Sequence, residues 1–559
     1  MSFNRILSMC RFLFLLPAIL TIPATSQAKW LTIHNDFFQY DQNGKKVETR
    51  SGCLTKFGDI YYWYGCDAAM TNQTCYSSKD LLHWKNEGNM LTATRGTNRM
   101  DVLYNEKTKK YVMVLKWETP GTEWCNLGFA TSDKPTGPFT KLSDSKVFGY
   151  NTGDMSVFVD DDGKAYYCFE QWIGENNLNQ QLVLMTEDYL GLDKLIQKWS
   201  NKDREANMIM KNHGKYYYLT SLMAGIDPSE TKYWTAPSIT GPWTTNLVSM
   251  ICPGDSYKSS WDTQVDFVFP FKGTQDTMQM YFGDRWKRPH PERNGDYVML
   301  PVTFSPKDSV IVNYYQDWEV DPDRGLWREI DSKRNLALNK TATASSNSNT
   351  AGNVTSPFTY QNYANTKWVS ASSDPQWISV DLGTAQQVNR VICKWNEGYA
   401  KSFKIQLSTD NTEWKDVYTT SVGAPISVTD ETFASEDARY VRIYCTTRGE
   451  SSKGNEIFDV MVLNDSLTTD VKQTNGNVPG VSSPLMTYNN NAVQYTVTSD
   501  AHVKMDVIDG LGRLQAVIVD EFKGAGVYKT ALPGSLASGR YILRLAEGTK
   551  KTSTLQVAR

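Results

Sequence analysis

Short runs of aromatic and β-branched residues, bounded by Gly, Asp, Asn and Pro, recur along the chain and predict strands. One unit, a turn followed by a Tyr-rich run, returns roughly every 50 to 65 residues. Its five copies are residues 58–64 (GDIYYWY), 110–115 (KYVMVL), 163–169 (GKAYYCF), 214–219 (GKYYYL) and 278–282 (MQMYF). Five copies at this spacing predict a propeller of five blades, each a small sheet beside a central channel. Helical periodicity is weak throughout.

The sequence pattern changes near Arg334, after the last Tyr-rich repeat. Residues 334–464 alternate as further strands, and residues 465–484 are rich in Ser, Thr, Asn and Gly, as linkers are. Residues 485–559 again form short alternating runs separated by Gly-containing turns, which predicts a small β-sandwich. We therefore expect an all-β chain with a propeller over residues 29–333 and two β-sandwiches after it.

The first 28 residues have the pattern of a secretory signal peptide. Arg5 and Arg11 form a basic region before the apolar stretch from Phe12 to Ile22, and residues 26–28 (SQA) form a small-residue cleavage site. Removal of this segment would leave 559 − 28 = 531 residues. Cys10 lies before the apolar stretch, which argues against a lipoprotein anchor, and no later apolar run has the length of a membrane span. We expect a secreted or surface protein.

The amino-acid composition argues against some classes of function. A net charge of −3 argues against a nucleic-acid partner. Aromatic residues make up 12% of the chain, and two interpretations stay open: they fill sheet cores, or some of them stack on sugars. The eight cysteines after Cys10 include no CxxC pair and the five histidines are scattered, so a zinc site is not expected. Disulfide pairing cannot be read from the sequence.

Two acidic residues occupy equivalent places in adjacent predicted blades. Asp154 begins the apolar strand that leads into the turn at 160–163, and Glu205 begins the strand before the turn at 212–215. An unpaired carboxylate at the start of an apolar strand is costly. Hydrolysis of a glycosidic bond needs an acid for the leaving oxygen and a base for water. The pair is either catalytic or consists of two structural carboxylates at strand ends.

The first 300 mature residues resemble glycoside hydrolase family 43, the five-bladed propeller hydrolases. The likeness rests on residues 154–163 (DMSVFVDDDG) and residues 205–208 (EANM), which match the two acidic strands of that family. The resemblance implies that Glu205 is the general acid. It also implies that Asp154 raises the pKa of this acid by like-charge repulsion and orients it.

Several short stretches resemble the family branch that contains exo-β-1,3-galactanases. They are residues 61–65 (YYWYG), 75–80 (CYSSKD), 84–88 (WKNEG), 102–105 (VLYN), 204–206 (REA) and 283–286 (GDRW). By this resemblance Trp286 would stack on a sugar ring, although a core position is the alternative, and Arg285 and Arg50 would contact substrate hydroxyls. A surface salt bridge is an equal alternative for each arginine.

The chain also departs from the family pattern. Most members carry a general-base Asp in blade one, where residues 49–53 read TRSGC. In the galactanase branch a Gln of blade five positions or activates the water, and Gln264 matches it, flanked by Asp262 and Asp266 on one face of a strand. A neutral amide is a poor base. The branch has a Glu where this chain has Asn98, which suggests a shifted substrate such as a galactofuranoside or arabinofuranoside.

Residues 334–464 resemble a discoidin, or coagulation factor 5/8 C-terminal, domain. The likeness runs through residues 335–337 (NLA), 366–368 (TKW), 376–383 (QWISVDLG), 406–410 (QLSTD) and 438–443 (ARYVRI). In secreted glycosidases such domains resemble family 32 carbohydrate-binding modules, and the resemblance implies a structural calcium ion but no required cofactor. Trp368, Trp377 and Trp414 belong to the fold motif, so we expect them in the core.

Residues 485–559 resemble the C-terminal sorting domain of the type IX secretion system. Residues 509–513 (DGLGR) and 539–541 (GRY) carry this likeness. It implies that secretion machinery recognises the domain and that the protein lies outside the cell or on the outer-membrane surface, with the periplasm as an alternative. An accessory sandwich without a sorting role is the other interpretation.

Together these patterns predict an inverting exo-glycosidase that acts on a polysaccharide or oligosaccharide such as arabinogalactan. It would release galactose-type residues, from β-1,3-galactan or a galactofuranoside, or arabinofuranose. Glu205 would be the acid, Asp154 its modulator and Gln264 the group that positions water; Trp286, Arg285, Arg50 and Asn98 would bind substrate. The alternative is a surface propeller that binds glycans without cleaving them, which the missing blade-one Asp motivates.

Overall fold

The chain is almost entirely β-structure in the computed structural model, as predicted. A 3-10 helix (Ser348–Thr355) interrupts the strands. The structure describes residues 30–92, 97–118, 125–173, 178–200, 202–287, 296–330, 334–356, 366–465, 486–489, 492–497, 501–509, 513–523, 526–547 and 551–558. The predicted signal peptide and most of the predicted linker lie outside these residues.

Within the described residues the first part of the chain forms five consecutive four-stranded antiparallel blades, which confirms the propeller; a single pair, Thr152 with Cys125, joins blades two and three into one eight-stranded sheet. Blade one is β2–β5, blade two β6–β9, blade three β10–β13, blade four β14–β17 and blade five β18–β21. The strands are β1 (Leu31–His34), β2 (Arg50–Phe57), β3 (Ile60–Cys66), β4 (Asn72–Ser78), β5 (Lys85–Thr92), β6 (Thr97–Asn105), β7 (Lys110–Glu118), β8 (Cys125–Ser132), β9 (Thr140–Ser145), β10 (Thr152–Val159), β11 (Ala165–Trp172), β12 (Leu178–Met185), β13 (Leu192–Trp199), β14 (Arg204–Asn212), β15 (Lys215–Leu222), β16 (Thr231–Ala236), β17 (Val248–Ser249), β18 (Gln264–Lys272), β19 (Thr277–Asp284), β20 (Tyr297–Phe304) and β21 (Val310–Val312).

The predicted Tyr-rich runs are the second strands of the blades. Tyr61 to Tyr64 in β3 and Tyr216 to Tyr218 in β15 are all buried. A second strand has neighbours on both sides within its blade and an adjacent blade on each face, so nearly every position along it is enclosed. Large flat side chains fill this space between blades, as in the stacked rings of Trp199 and Trp234 at 4.4 Å between centroids. Most of the aromatic excess is therefore packing.

A further small sheet joins the two ends of the propeller segment. It contains β1, β22 (Asp317–Asp321) and β23 (Leu326–Glu329), with β22 in the middle. Its buried Trp318 and Trp327 share one apolar cluster with side chains of blades one and five. Burying these large side chains stabilises the junction between the first and last blades.

The next domain is a β-sandwich built around two long strands. Its elements are β24 (Thr341–Ala344), β25 (Trp368–Val369), β26 (Gln376–Trp395), β27 (Ala400–Ser408), β28 (Lys415–Thr420), β29 (Val428–Arg448) and β30 (Glu456–Leu463). Trp368 is buried in the core as expected. Trp377 and Trp414 are only half-buried, which corrects the expectation for them; the guanidinium of Arg442 covers the Trp414 ring at 3.8 Å.

Buried charges join this sandwich to the propeller. His34, at the end of β1, has Nδ1 2.7 Å from Asp317 and Nε2 3.0 Å from Asp430 of the sandwich. With a carboxylate at each ring nitrogen, the doubly protonated imidazolium fits best. Arg390 of β26 donates to Asp430 at 2.7 Å and to Glu319 of β22 at 2.5 Å. These pairs are buried, so each charge depends on its partners across the interface.

The described residues from Met486 onward form a separate compact unit. Two sheets build it, one of three strands in the order β31-β32-β35 and one of four in the order β34-β33-β36-β37. Their bounds are β31 (Met486–Asn489), β32 (Ala492–Val497), β33 (Ala501–Asp509), β34 (Leu514–Lys523), β35 (Gly526–Ala531), β36 (Arg540–Glu547) and β37 (Lys551–Ala558). Val503, Met505 and Val507 alternate into its core, which confirms the predicted small sandwich.

The described part of the chain holds no helix that is long and apolar enough to cross a membrane. Within the same residues, no group of three or more His, Cys, Asp or Glu side chains is placed to hold a metal ion. All eight cysteines after residue 30 are free thiols, and seven of them are buried.

Candidate active site

The candidate site lies where the five innermost strands begin. These strands are β2, β6, β10, β14 and β18, and each has a break in register within its first residues. A bulge adds an unpaired residue and re-aims the side chains beside it. Arg99, Asp154 and Asp266 lie between the paired residues that flank such breaks, and Glu205 directly precedes one. The bulges thus turn polar side chains toward one mouth of the channel.

Glu205 has the properties of an acid that is protonated near neutral pH. Burial, followed by the nearby charge of Asp154, raises its pKa to about 7. Its Oε1 accepts hydrogen bonds from the Ala224 amide at 2.9 Å and from Gln264 Nε2 at 2.8 Å. Since Oε1 already accepts two donors, the proton of the neutral acid belongs on Oε2.

Asp154 is held in the ionised state. Burial alone would raise its pKa, but Arg99 and Lys116 outweigh burial and lower the pKa to about 2. Arg99 lies 3.1 Å from Asp154 Oδ2, and Lys116 Nζ lies 3.3 Å from Oδ1. The neighbouring carboxyls of Asp154 and Glu205 therefore have pKa values that are driven apart, which is the pattern of an acid and its charged modulator.

Gln264 is anchored by three acceptors. Its Nε2 lies 2.8 Å from Glu205 Oε1, 2.8 Å from the Gly225 carbonyl and 3.1 Å from the Asp227 carbonyl. Two of these are carbonyl oxygens that only accept, so the nitrogen of the amide is the atom that faces them. Gln264 is therefore in direct contact with the candidate acid, and its predicted role toward water stays a prediction.

A second layer of buried acids lies beside the pair. Asp266 pairs with the other side of the Arg99 guanidinium and accepts from Tyr297 Oη at 2.8 Å. Burial raises the pKa of Asp266 in spite of Arg99. Burial, and then Asp266, raise the pKa of Asp284 well above its usual range; Ser51 donates to Asp284 at 3.3 Å. Arg99 thus links the acids of blades three and five.

Glu170 of β11 is a further buried acid, 3% exposed. Burial, followed by the charges of Asp154 and Glu205, raises its pKa well above the usual range. Its Oε1 accepts from Trp172 Nε1 at 3.2 Å. A Cβ at Gly153 would lie 2.0 Å from the same oxygen, so the residue before Asp154 must be glycine for Glu170 to fit.

The four predicted substrate-binding residues have different surroundings. Arg50 and Trp286 are both half-buried, and the Arg50 guanidinium lies 5.7 Å from the Trp286 ring centroid. Asn98 is half-buried at the start of β6, with Nδ2 3.6 Å from Met70 Sδ. Arg285 corrects our expectation. Its side chain is fully buried and pairs with Asp36 at 2.7 Å, so it supports the fold instead of facing a ligand.

Sequence reasoning did not assign roles to Arg99, Lys116 or Glu170. Arg99 and Lys116 come from blade two and reach a carboxylate of blade three, a contact that no local pattern reveals. For Glu170 a signal existed, because an acid within the apolar run of β11 is as unusual as Asp154 at the start of β10.

Two family matches agree with this architecture. Residues 51–306 match the family described as Glycosyl hydrolases family 43, and residues 341–460 match the F5/8 type C domain. The chain is therefore similar to family 43 glycosyl hydrolases over residues 51–306, which supports a glycosidase, and to F5/8 type C domains over residues 341–460.

Three individual proteins are similar to this chain at low sequence identity. The β-D-galactofuranosidase xynD of Aspergillus niger is 25% identical over 222 residues, which cover 36% of this chain and 64% of that protein. The exo-β-1,3-galactanase of Phanerochaete chrysosporium, in its structure with galactose, is 20% identical with a TM-score of 0.50, covering 77% of this chain and 100% of that one. This similarity shows a shared fold. For the exo-β-1,3-galactanase of Clostridium thermocellum the values are 23% and 0.48, over 77% and 99%.

Proposed function

We propose that the protein is an exo-acting glycoside hydrolase that cleaves with inversion and releases galactose-type residues or arabinofuranose from plant-type polysaccharides such as arabinogalactan. The observation that carries the proposal is the pair at the mouth of the family 43 propeller. Glu205 has a pKa raised to about 7, beside an Asp154 whose pKa is lowered to about 2. A neutral acid beside a fixed negative charge is the arrangement that protonates a glycosidic oxygen at neutral pH.

The proposed chemistry uses three side chains. Glu205 gives its Oε2 proton to the leaving oxygen as the bond to the sugar breaks, and a water attacks the anomeric carbon from the opposite face. The proton that this water loses passes to bulk solvent, from which Glu205 is protonated again. Asp154 keeps the proton on Glu205 until it is needed, because a second negative charge nearby is unfavourable. Gln264, bonded to Oε1, fixes the plane of the carboxyl group and is our candidate for positioning the water.

The choice of sugar rests on the relatives. One relative is called a β-D-galactofuranosidase and another an exo-β-1,3-galactanase. Both names concern galactose, in different ring forms, which supports a galactose-type residue in the proposed substrate. Asn98, at the position where the galactanase branch has a Glu, favours a shifted preference and keeps arabinofuranose in the proposal.

The accessory domains support a location outside the cell. We propose that the N-terminal segment directs export, that the F5/8 type C domain binds glycan, and that the C-terminal sandwich is recognised by secretion machinery. A test fuses residues 475–559, which contain the C-terminal unit, to a reporter and follows the reporter to the medium or cell surface.

A substrate panel tests the activity. The full chain is incubated with β-1,3-galactan, galactofuranosides, arabinofuranosides and arabinogalactan oligosaccharides, and released monosaccharide is measured. We expect one class to yield monosaccharide with the inverted anomer as first product, seen by NMR. Glu205→Gln should abolish release, whereas Glu187→Gln, at a side chain 82% exposed, should not. Equal release by wild type and Glu205→Gln would contradict the proposal.

A second candidate function is glycan binding without cleavage. It is favoured by blade one, where Arg50 and Ser51 begin β2 and no carboxylate stands at the position of the family's base. This function predicts that calorimetry detects oligosaccharide binding while no member of the panel is hydrolysed. Release of monosaccharide by the wild-type chain would contradict it.

A further inference from the structure

An exposed tryptophan stands at the same mouth as the candidate acid. Trp172 is the last residue of β11, and it is 36% exposed. Its backbone N–H donates to the Asn151 carbonyl, one residue before β10 begins. Because antiparallel neighbours run in opposite directions, the end of β11 lies beside the start of β10, where Asp154 is found. Trp172 is therefore at the rim of the site and not at the far end of the channel.

The indole of Trp172 is hydrogen-bonded to Glu170, one of the buried acids of the site. Trp172 Nε1 lies 3.2 Å from Glu170 Oε1, and Glu170 lies close enough to Asp154 and Glu205 for their charges to raise its pKa. Glu170 Oε2 has no hydrogen-bond partner among the residues that the structure describes. Burying a carboxyl group that is not fully hydrogen-bonded costs free energy. That Glu170 is nevertheless buried here points to a function for the orientation in which it holds the Trp172 ring.

We propose that Trp172 is a platform for the sugar ring on the leaving side of the cleaved bond and that Glu170 positions it. This inference rests on the proposed glycosidase function and adds a subsite to it. The occupant is a glycan residue whose C–H face packs on the indole.

Three features of the site support this choice of occupant. The polar N–H of the indole is already bonded inside the protein, so the exposed part of the ring presents an apolar face. A ring fixed by Glu170 loses little side-chain freedom when a ligand packs on it, which favours binding. The platform lies on the side of the acid, and the acid protonates the leaving oxygen, so the ring attached to that oxygen is the one within reach.

Kinetics on two substrates with the same terminal sugar test the platform. One is a trisaccharide, and the other is the glycosyl fluoride, whose leaving group has no ring to stack. Trp172→Ala should raise KM for the trisaccharide about tenfold, the equivalent of about 1.4 kcal/mol, with kcat nearly unchanged. On the fluoride, kcat/KM should change less than about twofold. The control is Leu195→Ala, an apolar side chain 43% exposed on the outermost strand of the same blade, which should change neither.

Two variants of Glu170 test the positioning role. Glu170→Gln keeps an oxygen that accepts from the indole N–H, and its KM for the trisaccharide should stay within about twofold of wild type. Glu170→Leu removes the acceptor and should raise this KM as Trp172→Ala does. Because a neutral Gln imitates a protonated Glu, the pH profile of Glu170→Gln should match wild type. A KM unchanged in Glu170→Leu would overturn the positioning role.

The outcomes separate this inference from the proposed function. An unchanged KM for the trisaccharide in Trp172→Ala, or an equal loss on both substrates, overturns the platform while leaving hydrolysis intact. If the wild-type chain hydrolyses nothing, the proposed function fails. Calorimetry with the same trisaccharide then decides the platform: weaker binding by Trp172→Ala supports it and equal binding overturns it.

Discussion

The side-chain amide of Gln264 donates a 2.8 Å hydrogen bond to Oε1 of Glu205. The same nitrogen also faces two backbone carbonyls, so the amide cannot turn its oxygen toward the acid without losing both contacts. A donor fixed in this way stabilises the charged form of Glu205 and opposes the effect of burial and of Asp154. The pKa of about 7 is a balance between burial and Asp154, which raise it, and the Ala224 amide, Arg99 and Lys116, which lower it, so single substitutions should shift it in either direction.

Replacing Gln264 by Met should raise the pKa of Glu205. Met has a similar length but no N–H, so the ionised acid loses a donor and becomes less favourable. Since the acid must be protonated to act, the basic limb of the pH profile of kcat/KM should move to higher pH. The rate at the optimum should fall as the carboxyl group loses its fixed orientation. A basic limb at or below the wild-type position would contradict this account.

Replacing Asp154 by Asn should have the opposite effect on the same limb. The substitution removes a negative charge beside Glu205 and leaves Arg99 and Lys116 with less compensation, and both changes stabilise ionised Glu205. The basic limb should move below pH 7, with a lower rate at neutral pH because less of the acid is protonated. Measuring both variants against one substrate provides the control. Shifts in the same direction would exclude Glu205 as the titrating acid.

Much of the fold is predictable because the repeat is local. Each copy of the repeat, a turn followed by a Tyr-rich strand, spans only about seven consecutive residues. Each predicted copy overlaps the second strand of a blade. Asp154 and Glu205 were also identifiable, because a carboxylate at the start of an apolar strand is conspicuous. Trp377 and Trp414 were misplaced in the core, since the motif around them gives the fold but not their depth.

The rest of the site depends on contacts between blades. Arg99 is far in sequence from both Asp154 and Asp266, yet it pairs with both of these residues, which belong to blades three and five. The bulges that aim these side chains leave no clear mark in a single sequence. Arg285 illustrates the same limit, because its buried partner is Asp36, which is far away in sequence.

The junction between propeller and sandwich offers a prediction on stability. Arg390→Met should lower the free energy of unfolding by about 3–5 kcal/mol, because Glu319 and Asp430 are left buried without this partner. Urea unfolding of the full chain measures it, with the first transition moving to lower urea. Arg439→Met is the control, since Arg439 pairs with Asp381 at 41% exposure and should change the transition little. Equal effects of the two variants would contradict the role of the junction.

His34 should make the stability of this junction depend on pH. Burial lowers the pKa of His34, but the hydrogen bonds to Asp317 and Asp430 outweigh it and raise the pKa above the ordinary 6.5. A group with a raised pKa stabilises the fold fully below 6.5, and this contribution is lost as pH rises through the folded-state value. His34→Gln should therefore lower the free energy of unfolding more at about pH 5.5 than at about pH 8.5. His213→Gln, at a side chain 58% exposed, is the control.

The most direct test of the central claim is the dependence of the Glu205→Gln variant on the leaving group. An oligosaccharide needs a proton on its leaving oxygen, whereas a 2,4-dinitrophenyl glycoside of the same sugar leaves without one. If Glu205 is the general acid, kcat/KM of the variant falls about 10²–10⁴-fold on the oligosaccharide and less than about tenfold on the dinitrophenyl glycoside. Equal losses on both substrates, or none on the oligosaccharide, would show that Glu205 does not donate the proton.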